Sequence, residues 1–170
     1  METPERHNVC REAVYKELFF AHARHVRNFL CYKGAGTEEA EDLMQEAFLR
    51  LWRECQNVPA EKAKAFLFRV ANNLFLDAKK HEQVILRFQN SQRPNHDGED
   101  PQFLLETREL RQRLEKAIAQ LPEKQRIVFL LNRIDKLTYA QIADRLDLSV
   151  KAIEKRMSQA LAKVRECVKV

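Results

Sequence analysis

Between Glu38 and Cys55 the apolar residues Ala40, Leu43, Met44, Ala47, Phe48, Leu51, Trp52 and Cys55 recur at alternating steps of three and one. That spacing winds them onto one stripe of an α-helix, and the stripe is a core face. Thr37 stands before the run as its expected N-cap. Glu38, Glu39, Glu41 and Asp42 fill the first turn and Arg50 and Arg53 lie near the end, as the helix dipole favours. A second helical pattern runs from Glu61 to His81, with Ala63, Leu67, Val70, Ala71, Leu74 and Ala78 on one side. Phe66, Phe68, Phe75 and Leu76 widen its apolar surface, so this helix either sits deep or keeps aromatic surface for a partner. Glu12 to Tyr32 reads as a further helix.

The pattern then breaks. Ser91 to Pro101 reads SQRPNHDGEDP, without an apolar residue and with two of the five prolines, which makes it a flexible linker. Fully extended, eleven residues reach about 35 Å, so the flanking parts are able to sit apart on one large partner. Beyond it, helices are expected near Phe103 to Gln120, Glu123 to Ile134, Tyr139 to Leu146 and Val150 to Cys167. Pro122 suits the first position of the second of these, where its missing N–H costs nothing. The fold class is therefore all-α: two small helical bundles joined by a linker.

Composition agrees. Three glycines and five prolines in 170 residues leave little room for a many-stranded sheet. No run approaches the ~20 apolar residues that cross a bilayer, and Met1 to Arg11 lacks the apolar core of a signal peptide. The expected location is cytoplasmic, with no direct membrane insertion. Cys10, Cys31, Cys55 and Cys167 form no Cys-x-x-Cys, so they read as four idle or buried thiols rather than a zinc knuckle or redox pair. Charge is uneven: Glu106 to Val170 holds 15 basic and nine acidic side chains, against 13 and 12 from Met1 to His81. A nucleic-acid surface is first sought in the last third.

There, Leu137 to Glu166 resembles a helix-turn-helix. Ile142, Ala143, Leu146, Leu148 and Ile153 fall where two crossed helices share a core, with small Ala143 at the close approach. Asp147 occupies the turn position and tolerates a left-handed backbone; Ser149 caps the second helix. Placing Val150, Ile153, Met157, Ala160, Leu161 and Val164 inward turns Lys151, Ala152, Lys155, Arg156, Gln159 and Lys163 outward. Lys155 and Arg156 suit phosphates or guanine edges and Gln159 suits adenine, while Ala152 lets the helix settle into a groove.

TEEAEDLMQEAFLRLWR, then AFLFRVANNLFLDAKKH, then LPEKQRIVFLLNRIDKLTYAQIADRL resemble, in that order, the extracytoplasmic-function (ECF) group of bacterial sigma factors, the promoter-specificity subunits of RNA polymerase. The resemblance covers about Val14 to Glu166. It implies a sigma domain 2 over residues 10–85, a linker over 86–104 and a sigma domain 4 over 105–170. The first grips core RNA polymerase and opens the minus-10 element of promoter DNA; the second reads the minus-35 element. Carried over by position, the outward residues of the Glu38 helix that meet polymerase are Asp42, Gln45, Glu46, Leu49 and Arg50, since a polar rim around an exposed Leu binds where an all-charged face stays solvated. The loop Gln56 to Lys62 and the next helix match the part that captures a flipped base. Arg69, Asn72, Asn73, Asp77, Lys79 and Lys80 are its DNA-contact candidates, with Asp77 equally suited to pairing inside the helix. For minus-35 DNA the candidates are Ser149, Lys151, Ala152, Lys155, Arg156 and Gln159. The group is commonly held inactive by an anti-sigma factor, often membrane-anchored; Phe66 and Leu76 are expected at that interface. The linker acids Asp97, Glu99 and Asp100, beside Arg93, suit either a basic channel of polymerase or a solvated tether.

Two rival classes are weaker. For an enzyme, His22 and His25 lie one helical turn apart but lack an evident third metal ligand. The chain also has no Gly-rich phosphate loop, no Gly-x-Ser-x-Gly and no paired-carboxylate signature. No catalytic residue, cofactor or metal is expected. An independent helix-turn-helix repressor or activator would use the last third and leave the motifs of the first half without a role.

Overall fold

The computed structural model describes residues 8–79 and 101–168. Its elements are α1 (Glu12–Lys33), α2 (Thr37–Arg53), α3 (Ala60–Lys79), α4 (Pro101–Ala119), α5 (Glu123–Arg133), α6 (Tyr139–Leu146) and α7 (Val150–Val168), with no strand among the described residues. Lys80 and nearly all of the expected linker fall outside those residues; Pro101 opens α4.

Helices α1 to α3 form the front bundle. Val26, Phe29 and Leu30 of α1, Ala40, Met44, Ala47, Phe48 and Leu51 of α2, and Ala63, Leu67, Phe68, Ala71 and Phe75 of α3 are buried together. Phe29 stacks edge-on against Phe68 with centroids 5.3 Å apart, and Phe19 against Phe48 at 5.0 Å. The tight turn into α2 requires Gly34: its φ of 117° is a left-handed conformation that side chains oppose, and Ala35 N–H closes the α1 end on the Leu30 carbonyl at 3.0 Å. The N-cap of α2 is Gly36, one residue before the expected Thr37. On α3, Phe68 and Phe75 belong to the core and Ala78 is exposed, because this helix is covered from two sides and its buried stripe is rotated accordingly.

Helices α4 to α7 form the rear bundle around Ala117, Leu121, Ile127 to Leu131, Leu137, Ile142, Ala143, Ile153, Met157, Ala160 and Val164. In α5 every residue from Arg126 to Leu131 is buried, which one core cannot achieve for an amphipathic helix. One flank of α5 packs on α7 and the other on α1, while α6 packs on α3. The two bundles are therefore docked. Pro122 is the N-cap of α5 rather than its first residue, and Val150, expected inward, is exposed at the first turn of α7, where few neighbours remain to cover it.

The cysteines differ from the sequence reading. Cys10 and Cys55, 45 residues apart, are joined by a disulfide, while Cys31 and Cys167 are free. Spacing hides this pair because α1 and α2 run antiparallel, and that topology returns the end of α2 to the start of α1.

Candidate polymerase and nucleic-acid interfaces

The outer side of α2 is set by its inner one. With Ala40, Met44, Ala47, Phe48 and Leu51 buried, Asp42, Gln45, Leu49 and Arg50 are exposed and Glu46 half-exposed. Glu46 accepts from Arg50 Nε at 3.1 Å and lies 3.8 Å from Arg53, one turn apart as helix pairs require. Leu49 keeps 49% of its surface exposed amid these charges. Two further large apolar residues are exposed: Trp52, which its stripe placed in the core, at 41%, and Phe20 of α1 at 81%. Trp52 lies at the edge of its stripe and is held by Tyr15, ring to ring at 5.0 Å, while the Tyr15 hydroxyl donates to the Phe48 carbonyl at 2.9 Å.

On α3, Arg69, Asn73 and Asp77 are exposed and Asn72 half-buried. Arg69 lies over the Phe66 ring at 5.8 Å. Lys79 is placed differently from a free phosphate contact: its ammonium reaches Glu39 of α2 at 2.9 Å and lies 5.7 Å from the Phe75 centroid, tying α3 to α2. Leu76 is exposed and Phe66 half-buried.

The helix-turn-helix is built by local chemistry. Thr138 Oγ1 accepts from Gln141 N–H at 3.2 Å and Gln141 Oε1 accepts from Thr138 N–H at 2.9 Å, a capping box legible in Thr-x-x-Gln. Asp147 takes φ 54° and ψ 49°, the left-handed turn expected of it, and Ser149 Oγ accepts from Ala152 N–H at 3.2 Å to cap α7. Ile153, Met157, Ala160 and Val164 are inward. Lys151, Lys155 and Gln159 are exposed with Ser149, whereas Ala152 and Arg156 are half-buried; Gln159 accepts from Gln125 at 3.2 Å.

Docking joins two of these sites. A cleft of about 780 Å³ between the bundles is walled by Asn57, Val58, Pro59, Lys62, Phe66, Arg69 and Asn72 on one side and by Lys124, Asp147, Leu148 and Arg156 on the other. Arg69, Asn72 and Arg156 thus face one space, while Asn73, Lys151 and Lys155 lie outside it.

Deeper in the seam the contacts are polar. Asp135, with 3% of its side chain exposed, accepts from Asn28 at 2.8 Å and from the Tyr32 hydroxyl at 2.9 Å. Lys33 Nζ meets Glu123 at 2.6 Å, and Arg126 donates to the Tyr32 carbonyl at 3.0 Å. Lys64 pairs with Asp144, and Arg145 lies over Phe68 at 5.8 Å. His22 Nδ1, His25 Nδ1, Asp135 Oδ2, and Arg145 Nε and Nη1 are buried without a hydrogen-bond partner. Burial, with Arg145, Lys64 and His25 as neighbours, holds His22 down at about 4. Burial and Arg145 also lower His25, against the pull of Asp135 3.8 Å away. The fold thus brings a carboxylate to the histidine pair, but with a guanidinium beside it, and no metal-holding cluster exists among the described residues.

The chain matches the family model for sigma-70 region 2 over residues 18–84 and that for sigma-70 region 4 over residues 111–164. Among curated proteins it is 29% identical over 149 residues to the ECF RNA polymerase sigma factor SigW of Bacillus subtilis, covering 81% of this chain and 80% of that one. It belongs to the ECF group of sigma factors. The ferric citrate uptake sigma factor FecI of Escherichia coli, another relative, is 24% identical over 92% of both chains. Among solved structures, CnrH in complex with the cytosolic domain of CnrY shares the fold at a TM-score of 0.62 and 20% identity, over 92% of this chain and 88% of that one. RpoE in complex with the anti-sigma factor NepR from Bartonella quintana does so at 0.60 and 20%, over 92% and 97%. No described helix is long and apolar enough to cross a membrane.

Proposed function

We propose that this ECF sigma factor binds core RNA polymerase through the exposed face of α2 and directs promoter-specific initiation in the cytoplasm, with no catalytic chemistry of its own. The observation that carries this is the pairing, in one chain and in order, of a region 2 bundle with an exposed apolar and charged α2 face and a region 4 bundle with a capped, basic α7. Asp42, Gln45, Glu46, Leu49 and Arg50 are the polymerase contacts, and Trp52 extends that patch. Arg69, Asn72, Asn73 and Asp77 serve the minus-10 element, with Lys79 bracing α3 through Glu39 and Lys80 completing the set. Ser149, Lys151, Ala152, Lys155, Arg156 and Gln159 serve the minus-35 element. The domain bounds are 10–85 and 105–170.

The docked arrangement is a resting one. Elements some 25 base pairs apart are separated by about 85 Å of duplex at ~3.4 Å per pair. A compact chain of this length has a radius of gyration of only about 15 Å. Reading both elements requires the seam to part. An anti-sigma factor acts on the same equilibrium by holding the chain away from polymerase; the complexes of CnrH with CnrY and of RpoE with NepR support this reading.

The test mixes the purified chain with sigma-free core polymerase and follows co-elution and transcription from a genomic promoter library. Complex formation with initiation at a defined promoter set is expected. Failure of both, with tight binding of the free chain to duplex DNA, would assign an independent helix-turn-helix regulator instead. In the same assay Lys155→Ala with Arg156→Ala lowers promoter recognition and leaves co-elution intact, each contact contributing about 1–3 kcal/mol.

A further inference from the structure

We propose that Cys10 and Cys55 are a reversible thiol–disulfide site, exchanging with low-molecular-weight thiols and disulfides, whose oxidised state anchors the turn Gln56–Pro59 and the start of α3 beside the cleft. The proposal rests in part on the sigma-factor reading, which puts the chain with DNA and polymerase in a reducing compartment. Disulfides there are usually transient, catalytic or sensing rather than permanent staples.

Three features on the molecule point to this pair. First, the bond joins two segments that secondary structure does not otherwise tie: the turn ahead of α1 and the turn after α2. Second, both cysteines are only half-buried, so a small thiol reaches them; the free Cys31 is half-buried as well, and burial pushes its thiol up. Third, Cys55 lies within a turn that continues into the cleft wall. Asn57 and Val58 N–H groups both close on the Glu54 carbonyl, at 2.8 and 3.1 Å, and Asn57 Nδ2 donates to Glu54 Oε2 at 3.0 Å. Val58 is buried, and Asn57, Val58, Pro59 and Lys62 line the cleft with Arg69 and Asn72. On the far side of the bond, Val9 is wholly buried and Cys10 N–H is held by Asn8 Oδ1 at 2.9 Å. The crosslink therefore pins the wall of the candidate base-capture site to the core through Val9.

The exchange balances with glutathione disulfide as oxidant. One cysteine thiolate attacks it, forming a mixed disulfide and releasing one glutathione. The second cysteine thiolate attacks the protein sulfur of that mixed disulfide and releases the other. The chain gives up two electrons and two thiol protons, one glutathione disulfide becomes two glutathiones, and excess glutathione reverses both steps.

The experiment equilibrates the full chain in buffers of graded glutathione to glutathione disulfide ratio, traps free thiols by alkylation and locates them by mass spectrometry. A single two-electron transition at Cys10 and Cys55 is expected within ratios between about 1:1 and 1000:1, with Cys31 and Cys167 alkylated on either side of it. Cys10→Ser instead leaves Cys55 as a mixed disulfide with glutathione. Both thiols remaining alkylatable at every ratio, or a bond that survives the most reducing buffer, would overturn the exchange site.

The oxidised and reduced wild-type chains are then compared with core polymerase. The oxidised form initiates at least fivefold faster and melts about 5–10 °C higher, because the crosslink closes a long loop. The variant carrying both Cys10→Ser and Cys55→Ser matches the reduced form whatever the buffer. Equal initiation by the two forms would overturn the anchoring role. Absence of initiation in either form, with the thiol transition intact, would count against the sigma reading and not against the exchange site.

Discussion

The seam between the two bundles holds buried polar groups that their cores do not, beside the apolar flank of α5 that packs on α1. Within each bundle the buried groups are Leu, Ile, Val, Phe, Met and Ala with matched neighbours, a filling that apolar burial alone stabilises. Between the bundles, Lys33, Arg126, Arg145 and the Asp135 carboxylate are buried, and five of the seam's polar atoms find no hydrogen-bond partner. A buried group left unpaired loses its water without replacement, at about 1–3 kcal/mol each. The seam is specific, through Asp135 and Arg126, without being strong.

The largest effect comes from attacking a core. Leu51 is wholly buried in the front bundle, and Leu51→Ala should cost about 2–5 kcal/mol as transfer and cavity terms add. Denaturant unfolding would show a lowered front transition with the rear one unmoved. A loss shared equally by both bundles would mean that the seam couples them more tightly than its chemistry suggests.

Asp135→Ala acts on the seam alone. It strips the partners from Asn28 and Tyr32 and leaves Arg145 with less compensating charge. Water reaches these groups once the bundles part, so opening caps the loss at about 1–3 kcal/mol. Small-angle scattering should show an increased radius of gyration with helical content and both unfolding transitions retained. An unchanged radius would mean that Lys33–Glu123 and Arg126 suffice to hold the seam.

That contrast also explains what was legible in the sequence. Stripes such as Ala40 to Leu51 and Ile153 to Val164 report local helical period, so the helices of the described residues, the left-handed Asp147 turn and the Ser149 cap were readable there. The residues of the docked seam carry no such period. Asn28, Tyr32 and Lys33 meet Asp135 and Glu123 from about a hundred positions away, and each looks like an ordinary surface residue of its own helix. The same holds for Cys10 with Cys55, brought together by an antiparallel helix pair rather than by spacing. Phe68 and Phe75 were ambiguous because the aromatic excess of α3 serves two neighbours, and a single-helix stripe describes one. The run Arg126 to Leu131, buried all round, was the one local sign that α5 is covered twice.

Acid loosens the seam more gently. In the docked chain His22 is held down at about 4 by burial, Arg145, Lys64 and His25, and His25 is lowered by burial, Arg145 and Arg24 against Asp135. A free histidine takes up its proton near 6.5. The open form then binds more protons below that value, so docking is fully stable above about 6.5 and weakens as pH falls toward 4. Both imidazoles are partly exposed, which screens the effect to about 1 kcal/mol. Scattering between pH 7.5 and 5 should show progressive opening, and His22→Gln should flatten that dependence. A profile unchanged in the variant would place the titration elsewhere.

The smallest expected effect separates the two roles of Lys64. Its pair with Asp144 crosses the seam at the surface, with 30% and 61% of the two side chains exposed, so Lys64→Ala should change docking at neutral pH by less than about 1 kcal/mol. Yet the same ammonium helps to depress His22. Removing it lets the docked His22 take its proton at a higher pH, nearer its free value, which narrows the gap that drives opening. The variant should therefore be marginally looser at pH 7.5 and relatively more resistant to opening at pH 5 than the unaltered chain. If it opens more readily at both, Lys64 acts only as a tie to Asp144, and its charge is too well solvated to be felt at the imidazole.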